Sequence, residues 1–228
     1  MTQKVYQTLM AAECFLWDFD GCFADTERLH YLAYRDAFAA FGHVIEEDAY
    51  YPSFTHLGDG TQREIATHGL RVSEGEIASL KAQLYAELIR TGPVACFSET
   101  RELVRLMHLR GAKVAIASNS SEAEIRAVLA TAGFPLTELD LIVGKNPQLR
   151  KKPAPDIFLK ALESLSLSPA HAVVLEDSNR GLMAAAAAGC SAVWMRTRYN
   201  EGLQSSEPRC AALTHRELLS VLTSLPKP

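Results

Sequence analysis

Cys14-Phe15-Leu16-Trp17-Asp18-Phe19-Asp20-Gly21 is an apolar run that breaks into two carboxylates one residue apart and a glycine. Four apolar residues bounded in this way read as a buried strand and the turn that leaves it. Side chains of an extended segment alternate between faces, so Asp18 and Asp20 leave the backbone on the same side. Two like charges that close repel, and one tends to hold a proton unless a cation sits between them. The carboxyl end of a strand is also where open α/β sheets bind ligands. Taken alone, the pair could equally be a solvated strand end that begins a turn.

Beyond this stretch the pattern turns helical. Asp25 and Thr26 are placed to cap a helix start, where free backbone N–H groups need acceptors. Residues 27–41 carry Leu29, Leu32, Ala33, Phe38 and Phe41 along one helical stripe. Further helical segments follow over 61–67 and 73–90, and no strand-like alternation interrupts 27–90. Thr91-Gly92-Pro93 is a breaker suited to a return hinge. From there strand and helix alternate. Residues 98–109 read as a helix capped by Ser98, and 113–117 as a strand ending at Ser118-Asn119-Ser120. A helix over 121–132, a strand over 139–143 and a helix over 155–166 come next. The strand over 172–175 ends at Glu176-Asp177-Ser178, and an alanine-rich helix over 181–188 stops at Gly189. Residues 191–195 are the last clear strand and 215–222 a terminal helix.

This alternation argues for an α/β fold with a doubly wound parallel sheet. The helical block interrupts it just after the first strand. Residues 25–93 are therefore expected to form an inserted all-helical cap domain, with 1–24 and 94–228 as the α/β core.

With 48% hydrophobic and 22% charged residues, the chain can bury a sizeable core as an ordinary globule. A net charge of −4 provides no basic field for nucleic acid or anionic lipid. Residues 1–13 lack the basic start and apolar middle of a signal peptide, and no apolar run is long enough for a membrane span. The five cysteines are odd in number and scattered, which favours reduced thiols in the cytoplasm over a disulfide framework or a zinc site. Nothing in the sequence sets the oligomeric state.

Three strand ends carry polar groups: Asp18 with Asp20, Ser118 with Asn119, and Glu176 with Asp177. Lys152-Pro153 lies in a connection between a strand and the next helix. Parallel strands present their carboxyl ends on one sheet edge, so these groups can converge although distant in sequence. Clustered carboxylates are hard oxygen ligands that suit Mg²⁺. Ser118 and Asn119 offer neutral donors, and Lys152 a positive charge whose backbone the following proline restricts. Together they match the needs of a phosphoryl group, whose transfer is mostly positioning and charge neutralisation.

Asp18-Phe19-Asp20-Gly21, Ser118-Asn119, Lys152-Pro153-Ala154-Pro155-Asp156 and Glu176-Asp177-Ser178…Gly181…Ala184-Ala185…Ala188-Gly189 occur in an order that resembles the haloacid dehalogenase (HAD) superfamily. The likeness is to its β-phosphoglucomutase-like branch of phosphatases and mutases, and it spans nearly the whole chain. The resemblance implies a Rossmann-like core with a helical cap and a Mg²⁺-dependent phosphohydrolase acting on a small phosphorylated metabolite of the sugar or polyol phosphate class. It implies that Asp18 is the nucleophile that becomes an aspartyl-phosphate. By the same likeness Asp20 is the general acid and base, with its backbone carbonyl toward the metal. Ser118 then binds the phosphoryl group and Lys152 balances the nucleophile's charge. Asp18, Asp20 and Asp177 are the implied metal site, with Glu176 as a further or outer ligand. Gly21 and Asn119 are implied substrate contacts.

His30 matches a histidine that this branch often carries near the substrate entrance; a packed or solvated histidine is the plainer reading. Arg63, after Gly58-Asp59-Gly60, resembles a cap loop that touches substrate, with an exposed arginine as the alternative. Two positions depart from the pattern. Cys22 stands where many relatives carry threonine, and neighbouring acids should keep its thiol protonated and inert. Residues 92–97 match the usual core-return segment poorly, which leaves the hinge open. A phosphosugar mutase on the same site is the alternative activity. A non-catalytic binding module is the alternative class, though no catalytic position is missing.

Overall fold

The computed structural model describes residues 3–205, 207 and 210–226; Met1 and Thr2, where the signal-peptide reading begins, lie outside them. The apolar run forms β1 (Cys14–Trp17), after α1 (Gln3–Met10). Four α-helices follow: α2 (Glu27–Ala39), α3 (Glu47–Tyr50), α4 (Gly60–His68) and α5 (Glu74–Thr91), with a π-helical turn at Tyr51–Leu57 between the second and third. The chain then runs through α6 (Thr100–Leu109), β2 (Lys113–Ala117), α7 (Glu122–Thr131), β3 (Leu141–Val143), α8 (Asp156–Leu165) and β4 (Ala172–Glu176). It ends with α9 (Asn179–Ala188), β5 (Ser191–Met195), β6 (Ala211–Leu213) and α10 (His215–Ser224).

The strands form one sheet in the order β3-β2-β1-β4-β5-β6, and every neighbouring pair is parallel. This is the doubly wound order whose direction reverses between β1 and β4, the place where ligands bind. Trp17 pairs with both Ile116 and Leu175, so the residues that follow all three strands emerge at one level. The Asp18 N–H donates to the Leu175 carbonyl at 2.9 Å and the Ser118 N–H to Val143 at 3.1 Å, extending the ladders to the site residues.

Alternation along the strands sorts the core into two faces. Phe15, Trp17, Val114, Ile116, Val173 and Leu175 pack with α6, α7 and α10. Cys14, Leu16, Ala115, Ala117 and Val174 pack with α8 and α9. Full burial of one such apolar side chain is worth about 1.5–3 kcal/mol, so both faces fix the register of β1. The alanines of α9 let it lie close to the sheet. The helices between β1 and β2 gather a separate cluster around Tyr31, Phe38, Ile45, Tyr50 and Ile77, while Leu29, Ala33, Tyr85 and Ile89 join the first core face.

Some expectations need correction. Thr26 stands at the N-cap of α2 without a capping side-chain bond; its hydroxyl donates to Asp20 Oδ1 at 2.6 Å instead. Asp25 accepts from Tyr199 and Arg198. Ser98 does not cap α6: Glu99 holds that position, and the Thr100 hydroxyl ties the helix start to the Phe23 carbonyl at 3.1 Å. β6 and α1 fall outside the sequence-based expectation, as do α3 and the π-helical turn at Tyr51–Leu57, which lie in the block expected to be helical but between its assigned segments. β6 is three residues of mostly alanine, placed by pairing with β5 rather than by propensity. α1 turns Val5, Tyr6 and Leu9 to the first core face within a helix of eight residues. Elsewhere ends move by a residue or two, as where Ser73 caps α5 through a capping box. All five cysteines are unpaired. No helix among the described residues is long and apolar enough to cross a membrane.

Candidate active site

β1, β4 and the loop before α8 bring Asp18, Glu176, Asp177 and Lys152 together in one buried group. Lys152 Nζ donates to Asp18 Oδ1 at 2.5 Å and to Glu176 Oε1 at 2.9 Å. Its charge lies 4.7 Å from the centre of the Phe158 ring. Burial alone would lower the Lys152 ammonium, but Asp18 and Glu176 outweigh it and raise its pKa, keeping it charged. Glu176 is fully engaged, because its Oε2 accepts from the Ser178 N–H at 2.9 Å and hydroxyl at 3.1 Å. Asp177 is not: its Oδ2 is buried and has no hydrogen-bond partner among the described residues. One ligand oxygen each from Asp18, Glu176 and Asp177 lies within 4.8 Å of the others. Burial pushes Asp18 and Asp177 up from the usual carboxylate range; Lys152 opposes it, most strongly at Asp18, and the neighbouring carboxylates reinforce it at both.

Two glycines make this crowding possible. Gly21 has φ +74°, and a Cβ there would lie 2.3 Å from Asp177 Oδ2. A Cβ on Gly181 would lie 1.5 Å from Glu176 Oε1, so α9 can approach the site this closely only without a side chain at that position. Ser178 caps that turn by accepting from the Gly181 N–H at 3.1 Å.

Asp20 lines the same pocket with a different set of partners. Thr26 Oγ1 donates to Oδ1 at 2.6 Å and Ser120 Oγ to Oδ2 at 2.5 Å. His30 Nε2, on α2, stands 2.9 Å from Oδ1. Lys81, on α5, donates to His30 Nδ1 at 2.7 Å. An ammonium can only donate, so Nδ1 accepts and the imidazole proton sits on Nε2, the nitrogen nearer the carboxylate, which makes no aligned hydrogen bond among the described residues. The ring is further fixed by stacking on Tyr85 at 4.0 Å between centroids. Burial would raise the Asp20 carboxyl, but His30, Ser120 and Thr26 together hold it well below the usual carboxylate range.

Ser118 and Asn119 both line the pocket. The Asn119 amide oxygen also accepts from the Lys152 N–H at 3.0 Å, so this side chain orients the lysine as well as facing the cavity. The structure thus brings together Asp18, Asp20, His30, Ser118, Asn119, Lys152, Glu176 and Asp177. Arg63 is outside this group: it is half exposed on α4 and paired with Asp59 at 2.7 Å, one helical turn away. The arginine that lines the pocket is Arg180, whose guanidinium donates to the Lys152 and Gly58 carbonyls and so joins core to helical block. Gly21 packs behind Asp177 rather than lining the cavity. Ser120, Lys81, Thr26 and Arg180 escaped the sequence reading. Ser120 and Arg180 lie within two or three residues of motifs already singled out, which was the one available signal; Lys81 had none. Cys22 is protonated first through burial and only then through Asp177 and Asp18.

Residues 12–189 match the family model described as haloacid dehalogenase-like hydrolase. The chain belongs to that family. This hydrolase is 34% identical over 205 residues to Protein CbbY of Rhodobacter capsulatus, across 85% of this chain and 89% of that protein. It is 27% identical over 221 residues to the phosphorylated carbohydrates phosphatase of Thermotoga maritima, across 92% of this chain and 98% of that one. Its fold matches the crystal structure of CbbY from Rhodobacter sphaeroides in complex with xylulose-(1,5)-bisphosphate at a TM-score of 0.76. That match carries 29% identity over 92% of this chain and 99% of the other.

Proposed function

We propose that this enzyme, a phosphatase by family, hydrolyses a phosphorylated sugar or polyol through an aspartyl-phosphate on Asp18. The observation that carries the reading is the Lys152–Asp18 contact at 2.5 Å, which fixes Oδ1 at the end of β1. Nothing among the described residues donates to Asp18 Oδ2, which is left to attack phosphorus. The P–O bond to the leaving alcohol breaks as the Asp18–phosphorus bond forms. Asp20 gives that oxygen its proton, then takes one from the water that cleaves the acyl phosphate. Ser118 and Asn119 hold the phosphoryl oxygens by donating to them. His30, oriented by Lys81, favours the ionised form that Asp20 takes once its proton has gone to the leaving oxygen, which is the form that then serves as base. Residues 25–93 act as the cap that excludes bulk water, and residues 1–24 and 94–228 as the core.

The donor set fits Mg²⁺. Three carboxyl groups crowd one ammonium, which favours the protonated form of two of them until a cation takes up the charge, and the unpartnered Asp177 oxygen is the kind of buried polar atom a cation satisfies. Asp18, the Asp20 carbonyl and Asp177 would hold the ion, with Glu176, whose oxygens already accept from Lys152 and Ser178, as a further or outer ligand. When bound it supplies charge neutralisation at the phosphoryl oxygens. Glu27, Thr55 and Tyr34 line the pocket and suit the hydroxyls of a sugar or polyol. Unpaired cysteines fit a reducing compartment, and we place the enzyme in the cytoplasm.

A phosphate-release screen over sugar and polyol phosphates, with Mg²⁺ and with EDTA, tests the reading. Metal-dependent release from members of that class is expected. Release confined to other phosphoesters would overturn the substrate class, and interconversion of hexose 1- and 6-phosphates without net phosphate would favour a mutase.

A further inference from the structure

Away from the catalytic pocket, the helical block carries a second group of metal-ligating side chains: His43, Glu64 and His68. None of the three lines the pocket. His43 follows the turn that ends α2; Glu64 and His68 lie four residues apart on one face of α4. Both histidines aim Nε2 at the same carboxylate oxygen, Glu64 Oε2, at 2.7 Å from His43 and 3.4 Å from His68. All three ligand atoms lie within 4.8 Å of one another.

We propose that these residues form a binding site for a divalent transition cation of the zinc type, which clips the loop after α2 to α4. The donor set decides the class: two imidazoles and one carboxylate suit Zn²⁺, Co²⁺ or Ni²⁺, whereas Mg²⁺ prefers oxygen alone. Ligand bonds of about 2.0–2.1 Å in a tetrahedron set ligand separations of roughly 3.3–3.4 Å. The His68–Glu64 separation, 3.4 Å, already has that value, and the His43–Glu64 separation, 2.7 Å, needs to open by about 0.6–0.7 Å. A simple ion pair would require one histidine. Here two rings converge on one oxygen with their centroids 4.3 Å apart. His43 is held in place edge-on to Phe38, at 5.7 Å between centroids, and its backbone N–H donates to the Phe38 carbonyl at 3.1 Å. The side chains of His43 and Glu64 are 13% and 18% exposed and that of His68 is 48% exposed. The site therefore has two anchored ligands, and an entry path with room for water on the His68 side.

The test is Co²⁺ and Zn²⁺ titration of the full chain in excess Mg²⁺, which keeps the catalytic carboxylates occupied. Wild-type protein should take up one equivalent of Co²⁺ with the intense visible absorption of a four-coordinate ion, displaced by Zn²⁺. Zn²⁺ should also raise Tm, and EDTA should reverse the rise. Affinity should fall about tenfold or more in His68→Gln, and the signal should vanish in His43→Gln/His68→Gln. Phosphate release with Mg²⁺ should be unchanged in His68→Gln, whose folding is not in question because the side chain is half exposed. Co²⁺ absorption that survives the double substitution, or that is lost instead in Asp177→Asn, would overturn the proposal. So would the absence of any saturable Co²⁺ binding to wild-type protein in excess Mg²⁺, which would leave the cluster as a hydrogen-bonded ion pair.

Discussion

The Nζ of Lys152 lies 2.5 Å from Asp18 Oδ1, a buried contact that joins the loop before α8 to the end of β1. It is also the only ammonium among the described residues that touches the Asp18, Glu176 and Asp177 group. Replacing it with methionine keeps the volume and leaves those carboxylates without their counter-charge. Breaking a buried pair in this way costs about 3–5 kcal/mol, a large share of the roughly 5–15 kcal/mol that holds a domain folded. Urea denaturation of Lys152→Met without Mg²⁺ should show a loss of that size, and Mg²⁺ should restore part of it.

Gly181→Ala places a methyl group 1.5 Å from where Glu176 Oε1 now sits. The carboxylate must move, and Lys152 loses one of its two partners. Phosphate release should fall about 10–100-fold, as for other losses of supporting contacts at a metal site. Gly75→Ala is the control: its Cβ would meet only Ser73 Oγ, at 3.9 Å, in the first turn of α5. That variant should keep full activity.

Metal-free protein should lose stability as pH rises. Asp18 and Asp177 have folded-state pKa values above their unfolded ones, with Asp18 at about 8. Groups raised on folding favour the native state below their unfolded pKa of about 3.9, and that contribution disappears as pH climbs through the folded value. Tm of EDTA-treated protein should therefore drop between pH 5 and pH 8.5, and Mg²⁺ should raise it most at the alkaline end. A Tm that rises over this range, or a Mg²⁺ effect that is larger at pH 5, would contradict the crowding of these carboxylates.

His30 depresses the Asp20 carboxyl, after burial has pushed it the other way. In His30→Ala that carboxyl should return upward, so the alkaline limb of the kcat/KM profile, set by the protonated Asp20 that the first step needs, should move to higher pH. Lys81→Met removes the donor that fixes the imidazole and should shift the limb in the same direction by less. An unchanged limb in both variants would separate His30 from the proton-transfer step.

Much of this site could be read along the chain because its parts are local. Asp18 and Asp20 end an apolar run, Glu176 and Asp177 end another, and parallel strands must present both on one edge. Lys152 stood out by its place before a proline. What escaped depended on docking. Lys81 meets His30 only because α5 packs along α2, and no feature of a helical lysine announces a partner 51 residues away. Thr26 looked like a helix cap, the commoner use of such a residue, until the buried Asp20 claimed its hydroxyl. Arg63 and Arg180 show the reverse error: the loop that resembled a substrate contact pairs with its own Asp59, while an arginine on α9 reaches the pocket. β6 was invisible because pairing with β5, not composition, makes it a strand.

The decisive measurement is phosphate release by Asp18→Asn beside wild-type protein, on the best substrate and with Mg²⁺ present. With the nucleophilic oxygen replaced by an amide, release should fall to background while Tm stays within a few degrees of wild type or rises. Turnover at the wild-type rate in a folded Asp18→Asn protein would contradict covalent catalysis at this aspartate.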